Sequence, residues 1–311
     1  MSRIVAVTGA SGFVGPHLIT ALARHGWKLR VLVRRWAPLP SLAGVEAELT
    51  FGDLGDEAAL RRLVDGVDAV VHAAGLIKAR RPADFFTVNR DGTRRLSALA
   101  ADKLFVLLSS LAAREPQLSS YAASKRAAEE VVAAHSSPWL AIRAPAVYGP
   151  GDRETLTYFR AVDRGWAPEP RVANARLSLI HVADLAEALA LALDRRPGPS
   201  VYEIDDGQKG AHSYADMAVA AQAALGRPAR RVAIPHSVLR AIAGLNTLRQ
   251  ACGAAPQILT AGKAAELFHP DWAIHDRRLA DHLSFAPRFD LAAGFADTVR
   301  WYRAHKWLPN R

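Results

Sequence analysis

Cysteine is almost missing from this chain. Among 311 residues only Cys252 is present, so no internal disulfide and no cysteine-based zinc site can form, and no metal site is expected. A reducing cytoplasm is the expected setting. Long apolar runs are missing too: nowhere do about 18 apolar residues follow one another, which excludes a transmembrane helix. The opening "MSRIVAVTG" enters a strand directly, without the charged region, apolar core and cleavage site of a signal peptide. Acidic residues are in deficit. Against 40 Lys and Arg stand 30 Asp and Glu, a formal net charge of +10. Nucleic acid, anionic lipid and an anionic cofactor are the partners such a charge suits. The basic residues come as scattered pairs such as Arg80-Arg81 and Arg230-Arg231. There is no basic tail or long basic helix, so nucleic acid is not expected.

What is present is a regular alternation of short apolar runs and helical patterns. "RIVAVTG", "KLRVLVRR", "AELTFGDL", "VDAVVHAAG", "KLFVLLSS" and "WLAIRAP" read as strands. Helices are expected from about Phe13 to His25, over "DEAALRRLVDG", from roughly Ala83 to Ala101, and over "SSYAASKRAAEEVVAAH". Strands apolar on both faces, alternating with helices, predict an α/β fold: a doubly wound parallel sheet of the Rossmann type. After Tyr148 the pattern loosens. "GPGDRETLTYFRAVDRGWAPEP" mixes a helix with a proline-rich loop, and the last hundred residues are mostly helical. The expected layout is a dinucleotide-binding domain over 1–150, with returning segments at about 177–206. Residues 151–311 would then be mainly a smaller, mostly helical substrate-binding lobe.

The first strand runs into "VTGASGFVGPHL". Gly9 stands where the chain must turn sharply and φ > 0 is needed. Gly12 lets the backbone approach a pyrophosphate, and Gly15 lets the helix pack close to the strand. The helix start then offers free N–H groups and partial positive charge to phosphate. Glycine-rich turns of this kind also occur for structural reasons alone. Pro16 is tolerated if the helix begins at Phe13 or Val14, because first-turn N–H groups have no intrahelical partner. A start at Gly12 would place it late and bend the helix. At the end of the second strand an acidic residue would bind the ribose 2′-hydroxyl of NAD. Here Arg34 and Arg35 stand instead and suit a 2′-phosphate, with Ser11 able to add a hydroxyl. NADP(H) is therefore favoured over NAD(H), unless both arginines simply face solvent.

"SSYAASKRAAEE" carries Tyr121 and Lys125 four residues apart, on one helix face. A free tyrosine has a pKa near 10 and is a poor acid or base at neutral pH. A neighbouring ammonium favours the phenolate, and the pair can then pass a proton to or from a carbonyl or alcohol oxygen. Ser110 ends the fifth strand, at the sheet edge where ligands of such folds sit, and its hydroxyl can bond the reacting oxygen; Ser109 is its alternate.

These stretches together resemble an extended short-chain dehydrogenase/reductase of the NAD(P)-dependent epimerase/dehydratase type, nearly end to end. "TGASGFVG" is similar to the family's TGxxGxxG loop and "VNRDGT" to its V-N-x-x-G-T helix. "GDLGD", "HAAG", "YAASK", "RAPAVYGPG" and "IHVADLAEA" follow in the family's order. The closing leucine-glycine-tryptophan-x-proline stretch departs mildly, reading Leu283-Ser284-Phe285-Ala286-Pro287. The resemblance implies that Ser110 polarises the substrate oxygen, Tyr121 is the general acid or base, and Lys125 binds the nicotinamide ribose. It implies that Thr8, Gly9, Ser11, Gly12, Phe13, Val14 and Gly15 hold the pyrophosphate. Asp53 and Leu54 would sit at the adenine. Ala73, Ala74, Gly75, Asn89, Ser109, Pro145 and Val147 would line the remaining cofactor. His181 and Asp184 are expected to organise structure. A homodimer through the helices around Asn89 and Tyr121 is a further implication.

Only ten residues separate Ser110 from Tyr121, whereas the family's sugar-nucleotide members usually carry a longer insertion there. The shorter connection resembles the reductase branch, with 3β-hydroxysteroid dehydrogenases, dihydroflavonol reductases and relatives of a complex I accessory subunit. The expected activity is hydride transfer between NADP(H) and a ketone or alcohol on an apolar, lipid-like small molecule, such as a sphingoid or ceramide ketone or a steroid-like ring. The alternatives are a nucleotide-sugar epimerase with tightly bound NAD and a non-catalytic cofactor-binding subunit. "IPHSVLRAIAGLNTLRQACGAAPQIL" places Val238, Leu239, Ile242, Leu245 and Leu248 at helical spacing, with Arg240 and Arg249 nearby. That segment suits an apolar pocket lining, peripheral contact with an anionic membrane, or ordinary core packing.

Overall fold

The computed structural model describes residues 3–34, 44–135, 137–251 and 259–309; Arg35 and Cys252 lie outside these, as does the side chain of Leu248. The described chain divides into two compact units. The first comprises Met1–Ala144, Ala186–Glu203 and Asp276–Phe285; the second comprises Pro145–Leu185, Ile204–His275 and Ala286–Arg311.

The first stretch of chain lays down β1 (Ile4–Thr8), α1 (Val14–Arg24), β2 (Lys28–Val33), β3 (Ala47–Phe51), α2 (Glu57–Val64) and β4 (Ala69–His72). Then come α3 (Pro82–Phe85), α4 (Gly92–Leu99), β5 (Leu104–Ser110), α5 (Ser120–Ala133) and β6 (Trp139–Ala144). The second stretch begins with β7 (Ala146–Tyr148), α6 (Thr155–Asp163), β8 (Trp166–Pro170), β9 (Arg176–Leu177), β10 (Leu179–His181), α7 (Val182–Arg195) and β11 (Ser200–Glu203). It ends with α8 (Tyr214–Leu225), β12 (Arg230–Ile234), α9 (His236–Ala251), α10 (Ala261–Leu267), β13 (Asp271–Trp272), α11 (Arg278–Leu283) and α12 (Leu291–Ala304).

In the first unit seven strands form one parallel sheet in the order β11-β6-β5-β4-β1-β2-β3. It is a Rossmann sheet, with the order reversing between β1 and β4, where ligands of such folds bind at the carboxyl ends of the strands. Up to their terminal Thr8 and His72, β1 and β4 are apolar on both faces, and both are buried throughout apart from the partly buried Ile4, as strands covered by helices must be. Leu60, Leu63, Leu96, Leu107, Ala128 and Val132 pack into one core. α11 ends at Ser284, whose φ of 47° is the left-handed conformation that glycine takes freely. The departure from the family's glycine at that position is therefore borne by a strained serine.

One helix differs from the sequence expectation. The run expected from Ala83 to Ala101 is helical without a gap over 82–99, but between α3 and α4 the backbone widens into a π-helical turn over Phe86–Asp91. Such turns accommodate one residue more than an α-helix and concentrate at functional sites. This one carries Asn89, buried. "WAPEP" also differs, forming β8 rather than loop. It pairs in parallel with β12 alone, and a two-stranded pair has only edges, where proline is tolerated.

The second unit is mostly helical, with three parallel two-stranded pairs, β7–β10, β8–β12 and β9–β13. Its core is aromatic: Phe159 meets Phe295 and Tyr302 edge-on, with centroids 4.9 and 5.8 Å apart. His181 lies 4.0 Å from the Phe289 ring, and the Asp184 carboxylate accepts the N–H groups of Arg288 and Phe289 at 3.0 and 3.1 Å. Both residues are thus engaged in holding this unit together.

Candidate active site

The turn after β1 is shaped by steric exclusion. Gly9 has φ 84°, and a Cβ there would stand 2.6 Å from backbone atoms of Ala73 and Ala74. A Cβ on Gly15 would meet the carbonyl oxygen of Ala10 at 2.2 Å. Gly12 differs: its Cβ would touch only the Gly9 oxygen, at 3.3 Å, and Ser11 and Gly12 are exposed. So Gly9 and Gly15 serve the packing of the turn, whereas Gly12 leaves its outer side open. α1 starts at Val14 with Phe13 as N-cap, which puts Pro16 in the first turn, where no intrahelical bond is lost. No side chain caps this helix and no acidic residue stands in its first turn. Its N–H groups and partial positive charge face an uncapped end. An open glycine backbone leading into an uncapped helix N-terminus fits the pyrophosphate of a dinucleotide.

Beneath the turn runs a one-way chain of hydrogen bonds. Thr8 Oγ1 accepts from Ala74 N at 3.2 Å and meets His72 Nδ1 at 2.7 Å; His72 Nε2 meets Thr93 Oγ1 at 3.0 Å, and Thr93 Oγ1 donates to the Asn89 carbonyl at 2.5 Å. Since the Thr93 hydrogen is spent on Asn89, its oxygen accepts from His72 Nε2–H. His72 Nδ1 in turn accepts the Thr8 hydroxyl hydrogen. With the ring neutral, every donor in this chain has an acceptor. Burial, helped by the Lys125 charge, pushes His72 down to about 3. The unfolded chain takes up this proton near pH 6.5 and the folded one does not, so stability falls as pH falls through that window. The urea midpoint is expected to drop from pH 6.5 toward pH 3. His72→Asn should remove up to about 1.4 kcal/mol per pH unit of that slope.

At the end of β5, α5 is held by two side chains on its inner face. Lys125 Nζ, buried, donates to the Leu108 carbonyl at 2.7 Å. Glu129 Oε1 accepts from Ser109 Oγ at 2.5 Å, and both Glu129 oxygens take the Arg143 guanidinium at 2.9 and 2.7 Å. Burial pushes the Lys125 ammonium down to about 8, with Glu129 opposing that shift. Tyr121, one turn before Lys125, is partly exposed and packs edge-on to Phe85 at 6.1 Å. Ser110 Oγ accepts from Ala112 N at 3.2 Å and caps the short turn that follows β5. Ser109 and Ser110 point to opposite faces of the strand. Ser109, expected beside the cofactor, has its hydroxyl committed to Glu129.

Asn89 ties these parts together. Its Oδ1 accepts from Leu76 N at 2.7 Å, and its Nδ2 donates to the Leu76 carbonyl and to Ser124 Oγ at 3.1 and 2.9 Å. Ser124 Oγ donates to the Tyr121 carbonyl at 2.7 Å. The segment after β4 and the start of α5 are thus fixed to one amide. At Gly75 a Cβ would lie 3.3 Å from Asn89 Oδ1 and 3.9 Å from Lys125 Nζ. The space beside the ammonium is left open there, as a ribose would require. Ser124, Glu129, Arg143, His72 and Thr93 were not singled out from sequence as a linked set. His72, Thr93, Ser124 and Arg143 fall inside the stretches "HAAG", "VNRDGT", "YAASK" and "RAPAVYGPG", and Glu129 stands four residues after Lys125.

The remaining expected cofactor residues are more dispersed. Arg34 follows β2 directly and is exposed. Asp53 Oδ1 accepts from Gly55 N at 2.7 Å, and Leu54 packs where a Cβ on Gly92 would meet it at 2.9 Å. Pro145 and Val147 belong to the second unit, Val147 within β7.

A Rossmann sheet, an open glycine turn at an uncapped helix and a buried lysine one turn from a tyrosine define a nicotinamide-dinucleotide oxidoreductase. The chain belongs to the NAD dependent epimerase/dehydratase family, whose family model matches residues 5–205. It is 41% identical over 308 residues to a ceramide reductase of Caulobacter vibrioides, covering 98% of this chain and 96% of that protein. In fold it is similar to gox2253, with a TM-score of 0.79 and 24% identity over 99% of this chain and 100% of that one. It is likewise similar to DesIV, a dTDP-glucose 4,6-dehydratase from Streptomyces venezuelae solved with NAD and TYD bound. The TM-score there is 0.75, with 22% identity over 99% of each chain.

Proposed function

We propose that this enzyme is an NADP(H)-dependent ketone reductase for a long-chain, ceramide-type ketone. The observation that carries the reading is the near full-length match to a ceramide reductase. The short Ser110–Tyr121 connection and the arginines after β2 support it. NADPH, when bound, supplies the hydride. In this reading the open turn and the N-terminus of α1 bind the pyrophosphate. Lys125 holds the nicotinamide ribose and, as a cation, lowers the pKa of the Tyr121 phenol. Ser110 Oγ donates to the substrate carbonyl oxygen, and Tyr121 Oη delivers the proton that this oxygen gains. Asn89 and Ser124 act at one remove, keeping the start of α5 in register with the segment after β4. A homodimer through the helices around Asn89 and Tyr121 is part of the same proposal.

The test is a nicotinamide absorbance assay with a 3-ketoceramide, a steroid ketone and a nucleotide sugar, each with NADPH and NADH. Stoichiometric NADPH consumption with the ketoceramide is expected. Tightly held NAD with epimerisation of the nucleotide sugar and no net consumption would overturn the reading, as would dinucleotide binding without any turnover. For the cofactor, R34A/R35A is expected to weaken NADPH about tenfold or more, the worth of one or two charge-assisted hydrogen bonds, and to leave NADH within about twofold. Equal weakening of both would show that the arginines do not read the 2′-phosphate.

A further inference from the structure

We infer that α9 is a docking surface for an anionic bilayer. The helix presents two adjacent stripes. Leu239 and Ala243 are buried, and Asn246 Nδ2 donates to the Leu259 carbonyl at 3.0 Å. His236 meets the Phe268 ring at 4.5 Å. That side is therefore the packed one. Val238, Ile242 and Leu245, spaced i, i+4 and i+7, stand 46%, 43% and 55% exposed. Core packing is thus excluded for them. Of the eight large hydrophobic side chains that the described residues leave exposed, these three fall on one stripe, and Arg249 continues it at i+11.

Charge identifies the occupant. Between Asp216 and Glu266 the sequence has no Asp or Glu and six Lys or Arg. Arg231 pairs with Glu169, Lys263 with Glu266, and Arg227 lies 3.8 Å from Asp163. Arg230, Arg240 and Arg249 have no ion-pair partner among the described residues. Arg249, in line with the exposed aliphatic stripe, and a surrounding segment with six basic and no acidic residues match a surface that is apolar below and negative above. An amphipathic helix lying in the interface plane meets such a surface, and each arginine near it strengthens the partition about fivefold. A second copy of this chain fits less well. Three side chains fall short of the roughly 1,200 Å² that a stable interface buries, and pairing would bring two segments without any acidic residue together.

The test uses the full chain, sedimented with vesicles of phosphatidylcholine alone or of equimolar phosphatidylcholine and phosphatidylglycerol. Binding to the anionic vesicles only is expected, with V238Q/I242Q/L245Q lowering the partition coefficient about tenfold or more and R249Q about fivefold at low salt. Unchanged melting would show that these exposed substitutions leave the fold intact. Equal binding of parent and triple variant, or no binding to either vesicle, overturns the proposal. So does a dimer in sedimentation velocity that the triple variant dissolves, which would give the face to a second copy. Docking stands apart from the substrate reading, and a water-soluble short-chain 3-ketone assayed without vesicles separates them. Turnover without vesicle binding removes docking alone; vesicle binding without turnover of any ketone removes the reductase reading alone.

Discussion

Tyr121→Phe is expected to cut NADPH-dependent ketone turnover by about a thousandfold, within the usual range for a lost general acid. Dissociation of NADPH should stay within about twofold, because the turn after β1, the start of α1 and Lys125 are untouched. The pH profile gives a second signature. The parent enzyme should lose activity above about pH 8, where the buried Lys125 ammonium gives up its proton and the Tyr121 phenol loses its neighbouring charge. Stability should move the other way. Between about 8 and the ordinary lysine value of 10.5 the unfolded chain holds a proton that the folded one has released, so stability rises with pH. Lys125→Met should abolish both trends. A Tyr121→Phe enzyme that retains a tenth of parental turnover would place the proton donor elsewhere.

The glycine turn gives the second large effect, and two substitutions three residues apart should separate its two roles. Gly9→Ala forces a side chain into φ 84° and against the backbone of Ala73 and Ala74. The left-handed conformation and the overpacking together should cost about 3 kcal/mol, read as a lower urea midpoint, with dinucleotide affinity lost as well. Gly66→Ala is the control. It shares a positive φ, 63°, but nothing lies within 4 Å, so about 1 kcal/mol is expected. Gly12→Val should cost much less stability than Gly9→Ala, since its Cβ would meet only the Gly9 oxygen, at 3.3 Å, and its φ is not positive. It should still weaken dinucleotide binding at least tenfold by filling the side that the pyrophosphate approaches. If Gly12→Val bound dinucleotide as the parent does, the ligand would not cross this turn.

Much of the fold was legible because it is written in local periodicity. β1, the glycine turn and α1 are contiguous, so strand, turn and helix could be read in one stretch, and Tyr121 and Lys125 share a face for the same reason. Within the single helix expected from Ala83 to Ala101, the widened turn was not legible. The π turn at Phe86–Asp91 accompanies contacts of Asn89 with Leu76 and Ser124, partners 13 and 35 residues away. The choice between Ser109 and Ser110 likewise depended on Glu129, whose side chain meets β5 only once α5 is packed.

The order of strands and helices, the glycine spacing and the tyrosine–lysine pair were therefore determined by the sequence itself, since each depends on residues within a turn or two of one another. The neutral tautomer of His72, the commitment of Ser109 and the exposure of the α9 stripe were decided by tertiary structure alone. Hydrogen-bond direction and burial are properties of which elements come together, and neighbours along the chain do not carry that information.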